Sequence, residues 1–269
     1  MTIFFGRSCL FPARLDVGKC VYKRAGGSVH EGKVCTCGAT ERVVVKKGAR
    51  AREWRSMHIL HGERYVIQMH RLCTERFFNA KKMLIMEPAS CDLFSHVEQS
   101  GGLPEDETVR LARQIIEAIA SCHRHGIAHC DIKLDNIGLI GDVHSVRLLD
   151  FGSSMEINNN KVPVGVVGCS PSYRPPELLS GSYILGEALA CVDYWELGIT
   201  IFTMHTGAFP FDIDPKHQTQ AEQLKILGKP IRWPKSMSAG MRTAIGGLLM
   251  VDPAARVNPC SGDIFSWHK

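Results

Sequence analysis

Apolar positions along this 269-residue chain change their spacing once, close to Glu87. Upstream they fall into short runs bounded by polar segments, of which Val43-Val44-Val45 and Met83-Leu84-Ile85-Met86 are the clearest. Runs this short predict buried strands. One helical patch interrupts them, Arg52 to Leu60, and residues 1–19 read as a loose lead-in. Downstream the period becomes helical. Over residues 104–125, Val109, Ala112, Ile115, Ile116, Ile119 and Ala120 form one apolar face. Pro104 suits the first turn, Glu105, Asp106 and Glu107 complement the positive end, and Arg124-His125 stand at the negative end before Gly126. A second helix is expected from about Asp193 to Thr206, stopped by Gly207, and a third over Ala239–Met250. The pattern predicts an α+β chain, with a small β-rich N-lobe (about 20–87) and a larger helical C-lobe (about 92–262), joined near Glu87–Cys91.

Composition narrows the function classes. Hydrophobic residues make up 45% and charged residues 22%, ordinary values for a soluble globular protein. The net charge of +5 is too small and too scattered to predict a nucleic-acid partner. The one basic concentration, Lys46-Lys47 with Arg50 and Arg52, reads as a solvated strand end. Of 11 cysteines only Cys35 and Cys37 lie close together, and no second pair with histidines at ligand spacing follows. Reduced thiols in a cytosolic or nuclear protein are therefore expected, rather than zinc or a disulfide scaffold. The opening Met1 to Leu10 lacks a basic stretch before its apolar run, so it does not read as a signal peptide. No apolar run reaches the ~18 residues that predict a membrane span.

Two motifs carry the chemistry. Residues 129–136 read His-Cys-Asp-Ile-Lys-Leu-Asp-Asn, and Asp150-Phe151-Gly152 follows the apolar strand Val146-Arg147-Leu148-Leu149. They place a proton acceptor (Asp131), a cation (Lys133) and two oxygen donors (Asn136, Asp150) on two nearby loops. Mg²⁺ prefers carboxylate and amide oxygens and keeps several waters, so a site built from one of each plus substrate phosphates suits it. The strings resemble the catalytic and metal loops of eukaryotic protein kinases. The resemblance covers nearly the whole chain, with a kinase domain over 20–262.

That resemblance implies a bilobal protein kinase fold and transfer of the γ-phosphate of ATP, with Mg²⁺, to Ser or Thr hydroxyls of protein substrates. Asp131 would accept the hydroxyl proton, Lys133 would steady the phosphoryl charge, and Asn136 and Asp150 would hold the metal. Lys133, two residues after Asp131, is the Ser/Thr form of the motif. The glycine-rich hairpin over the phosphates would be Gly27-Ser28-Val29-His30-Glu31-Gly32-Lys33-Val34, contributing Gly27, Gly32 and Val34. Lys46 resembles the phosphate-orienting lysine, with Glu53 as its partner and Lys47 as a competitor. Met86 would stand at the back of the adenine pocket, and backbone groups near Glu87 and Ala89 would bond the base.

Further motifs resemble the family's peptide-docking apparatus: Ser170-Pro171-Ser172-Tyr173-Arg174-Pro175-Pro176-Glu177, Asp193-Tyr194-Trp195-Glu196-Leu197-Gly198, and Arg256 as the expected partner of Glu177. They argue against a small-molecule kinase. Asp92 and Asp135 resemble carboxylates that bind arginines upstream of the phosphorylated residue, while Thr203 stands where a third acid often lies. Three departures matter: Cys130 replaces the arginine of His-Arg-Asp, Val29 a loop glycine, and Gly138 the leucine under adenine. The alternative function is a pseudokinase, a kinase-shaped binding scaffold, but Lys46, Asp131 and Asp150 are all retained. The compact size, the Val-Val-Val-Lys-Lys-Gly string and the short Lys46–Glu53 gap further resemble Ser/Thr kinases of alphaherpesviruses, which would place the protein in a host cell.

Overall fold

A computed structural model describes residues 2–4, 14–24, 27–36, 38–74, 82–141 and 145–268. The chain divides into two units, Met1–Gly62 with Ile67–Ala89, and Glu63–Val66 with Ser90–Lys269. The first is built on a six-stranded antiparallel sheet in the order β1-β2-β3-β4-β6-β5. Its strands are β1 (Thr2–Phe4), β2 (Arg14–Arg24), β3 (Gly27–Thr36), β4 (Ala39–Lys47), β5 (Met69–Thr74) and β6 (Lys82–Met86). One helix, α1 (Ala51–Ile59), follows β4.

Strand alternation sorts this sheet into two faces. Leu15, Val43, Val45, Met83 and Ile85 are buried together on one, with Val17, Val34 and Cys73 packed against them. Lys46, Val44, Leu84 and Met86 belong to the other, because Val44 pairs with Met86 and Lys46 with Leu84. The expected lead-in is too long. β2 begins at Arg14, pairing Leu15 with Val34 and Asp16 with Lys33. Leu15 is fully buried, so the sheet requires residues that local pattern alone left outside it.

The second unit is mostly helical. It contains α2 (Leu93–Ser100), α3 (Glu105–Arg124), α4 (Glu177–Ser180), α5 (Leu189–Thr206), α6 (Gln220–Leu227) and α7 (Ala239–Leu248). α3 falls one residue inside the expected 104–125 at each end, with Pro104 as its N-cap, and Val109, Ala112, Ile115 and Ile119 are fully buried on it. α5 starts at Leu189, earlier than the expected Asp193, and is buried almost all round, as a central helix should be. Gly207, at φ 70, ends it in the left-handed conformation.

Short strand pairs pin the connecting segments. β9 (Ile137–Ile140) lies between β7 (Cys91–Asp92) and β10 (Ser145–Leu148), β11 (Met155–Glu156) pairs with β8 (Ile127–Ala128), and β12 (Lys161–Pro163) pairs with β13 (Tyr183–Leu185). Among the described residues no helix is long and apolar enough to cross a membrane. No disulfide forms among the nine described cysteines, and Cys9 and Cys37 lie outside the described residues.

Candidate active site

In the first unit, β4 delivers Lys46 to the face from which α1 presents Glu53, and the two form an ion pair with both side chains largely buried. Glu53 sits in the first turn of α1, where its charge complements the positive helix end. Four and seven residues on, Met57 and Leu60 are buried with it. Met86 pairs with Val44 on this same face, and the Glu87 amide donates to Gln68 O at 3.1 Å. Glu87 also accepts the Gln68 N–H through its side chain, so β6 is tied to the start of β5 just as it exits.

The expected glycine-rich hairpin needs correction. Gly27 to Val34 do not turn: all eight residues lie in the single strand β3. Arg24 pairs with Gly27, and the connection runs through residues 25–26, outside the described residues. Gly32 is a packing glycine, since a Cβ there would come within 2.9 Å of Val45 and 3.0 Å of Val43. Val34 shares that core face. Val29, paired directly with Lys46, is the β3 valine on the lysine's face. Gly27 is a close-approach glycine, since a Cβ there would meet the Lys47 carbonyl at 2.8 Å.

In the second unit the string 129–136 is held in place by α5. The Asp193 carboxylate accepts the His129 N–H at 2.9 Å and the Cys130 N–H at 2.7 Å, and contacts His123 Nε2 at 2.7 Å. His123 is held charged to about pH 9: burial pulls it down, but hydrogen bonds to Asp193 and Cys260 more than offset that. Glu196, one turn along, accepts the Ile132 N–H at 2.8 Å. The His129 ring accepts the Asp131 N–H at Nδ1 and meets Leu149 O at 2.9 Å through Nε2, which makes Nε2 the protonated nitrogen. Its ring packs edge-on against Phe151 at 4.9 Å.

Two residues with side chains are forced into positive φ, Cys130 (59°) and Asp150 (55°), the only non-glycines so placed among the described residues. Such conformations cost about 1–3 kcal/mol each and persist where the surroundings over-determine them. Cys130 immediately precedes Asp131, and Asp150 is itself the expected metal carboxylate. Strain is concentrated where the sequence motifs converge.

Asp131 is nearly buried and fully engaged. Asn136 Nδ2 donates to its carbonyl at 2.8 Å and to its Oδ2 at 2.9 Å, which leaves the Asn136 amide oxygen as that side chain's coordinating atom. Ser170 donates to Asp131 Oδ1 through its hydroxyl at 2.7 Å and its amide at 3.2 Å. Lys133 Nζ donates to the same hydroxyl at 2.7 Å and lies 3.3 Å from Asp131 Oδ2. Asp150 accepts the Gly152 N–H at 3.1 Å. One carboxylate and one amide oxygen are the hard donor types that would suit Mg²⁺.

The supporting motifs are closed as well. Arg256, fully buried, donates to both carboxylate oxygens of Glu177 at 2.6 and 2.7 Å, to Cys191 O, and stacks over Trp195. Asp92 caps α2 by accepting the Ser95 N–H, Asp135 is exposed, and Thr203 is buried in α5. Sequence reasoning had Ser170 only as part of a docking string and Glu196 only as part of a helix start. Neither bonding role has a local signal, because the partners lie 39 and 64 residues away.

A family model described as the protein kinase domain matches residues 28–263. The chain belongs to the protein kinase family. Among its relatives is a carbon catabolite-derepressing protein kinase of Candida albicans, 35% identical over 176 residues, 65% of this chain and 27% of that protein. A serine/threonine protein kinase of Oryza sativa subsp. indica is 34% identical over 166 residues, 62% of this chain and 31% of the relative. Serine/threonine-protein kinase 36 of Pongo abelii is 30% identical over 207 residues, 76% and 15% of the respective chains. This kinase-family chain thus spans under a third of the length of these relatives.

Proposed function

We propose that the chain is a serine/threonine protein kinase that moves the γ-phosphate of ATP to a protein hydroxyl, with Asp131 as the proton acceptor. The observation that carries this reading is the Asp131–Ser170–Lys133 network. It fixes a carboxylate, a cation and a hydroxyl within hydrogen-bonding distance of one another. A substrate hydroxyl in reach of Asp131 would be oriented and deprotonated there, an effect worth roughly 10²–10⁴ in rate. Lys133 supplies a preorganised positive charge beside it. Lys46, steadied by Glu53, is the phosphate-orienting lysine. Mg²⁺, held by the Asn136 amide oxygen and the Asp150 carboxylate, would neutralise charge on the phosphates. Among substrates, the exposed Asp135 and the neighbouring Asp92 favour basic residues upstream of the acceptor.

Labelled γ-phosphate transfer to a generic protein and to a peptide library, with and without Mg²⁺, tests the reading. Mg²⁺-dependent transfer to Ser and Thr is expected, lost in Asp131→Ala and Asp150→Ala while both variants remain folded. Near-wild-type turnover by either variant would sink the assignment. Folded wild-type protein without transfer would instead favour the scaffold reading. Absence of a preference for upstream Arg removes the substrate class alone.

A further inference from the structure

α5 carries an acid that the reaction as described does not use. Glu196 is completely buried, with Oε2 accepting the Ile132 N–H at 2.8 Å. As a carboxylate oxygen its Oε1 has no hydrogen-bond donor, nitrogen, oxygen or sulfur, among the described residues. A polar neighbour is the buried Cys169 thiol, in the residue immediately before Ser170; the thiol itself donates to Ser170 O at 3.5 Å. A carboxyl group therefore sits under two chain segments at once: the catalytic loop, through Ile132, and the segment that delivers the Ser170 hydroxyl to Asp131, through Cys169.

We propose that Glu196 is a positioning residue for phosphoryl transfer, clamping the Ile132 amide and Cys169 together so that Asp131 and Ser170 stay in register. The inference rests on the kinase reading for its consequence but not for its geometry. The clamp works as a neutral acid, which can both accept at one oxygen and donate from the other. Burial holds the carboxyl protonated well above the usual range, and the nearby negative charges of Asp193 and Asp131 act in the same direction, against the smaller opposite pull of its contacts with Cys169 and the Ile132 amide. The groups facing it are Asp193 on its own helix, Asp131 on the catalytic loop, and Cys169 and Tyr173 on the adjoining segment. Cys169 is itself held in the thiol form by burial and by Glu196. An ionised Glu196 would place a third negative charge in this group without a counter-ion.

The conservative variant separates this role from mere filling of space. Glu196→Gln keeps an acceptor for Ile132 N–H and a donor toward Cys169, whereas Glu196→Ala keeps neither. Glu196→Ala is expected to lower kcat at least about tenfold, as small misplacements of reacting groups do, with little change in KM for ATP. Glu196→Gln should recover most of that loss. Amide hydrogen exchange provides a readout independent of catalysis. In Glu196→Ala, segments 129–136 and 167–172 should lose protection together, and in Glu196→Gln neither should.

Stability supplies the third measure. The folded state holds a proton that the unfolded chain releases above the ordinary carboxyl value of 4.5. Wild-type stability should therefore fall relative to Glu196→Gln as pH rises from about 5 towards 8, and the two should converge on acidification. Wild-type kcat in Glu196→Ala, unchanged exchange in both segments, or a pH-independent stability difference would each overturn the proposal. Lack of transfer by the wild type, with the exchange coupling intact, would leave the clamp standing and remove the kinase reading.

Discussion

Lys46 and Lys47 are adjacent, yet the alternation of a strand sends their side chains to opposite faces of the sheet. Only the face of Lys46 meets Glu53 on α1. Lys46→Met should therefore lower transfer by at least about 10²-fold, the scale of removing one preorganised charge, while Lys47→Met should change it far less. Parallel rate measurements on the two variants check this, and the reverse ranking would show that the other lysine is the functional one. The same alternation decides the β3 residues. Gly32 and Val34 point with Val43 and Val45 into the core, and Val29 points with Lys46. A glycine-spacing motif is blind to this, because the parity of a strand is set by its partners' register.

The segment from Phe151 to Pro176 is held at several points by neutral contacts. β11 pairs with β8 and β12 with β13. Ser154 is fully buried and donates to Phe151 O at 2.8 Å, and Ser153 donates to Gly168 O at 3.3 Å. Cys130, where the family carries an arginine, is completely buried and presents no positive charge to a phosphate. Protein made without other kinases should accordingly be active with residues 152–177 unphosphorylated. Mass measurement of that segment followed by assay provides the check. Inactivity rescued by phosphorylation within it would refute the expectation.

Across the second unit, the bond between Glu177 and Arg256 closes a 79-residue span of chain. Arg256 also reaches Cys191 O and the Trp195 ring, so one guanidinium joins α4, α5 and the segment after α7. Removing one partner leaves a buried charge uncompensated, which costs about 3–5 kcal/mol. Arg256→Met should show that loss in denaturant unfolding, and a change under about 1 kcal/mol would mean that solvent reaches Glu177 readily. Local order was legible in the chain itself. Apolar period 3.6 marks α3, and short apolar runs mark β4 and β6, because those signals arise from residues a few positions apart. The strings 129–136 and 150–152 are likewise contiguous, and the structure brings Asp131, Lys133 and Asn136 together as a loop that short must. What only tertiary structure decided were the relations between distant residues: Leu15 completing the core, Ser170 bridging Asp131 and Lys133, Glu196 beneath Ile132. Hydrogen bonds and burial act through space, and no spacing along the sequence encodes which of its serines or buried acids will arrive there.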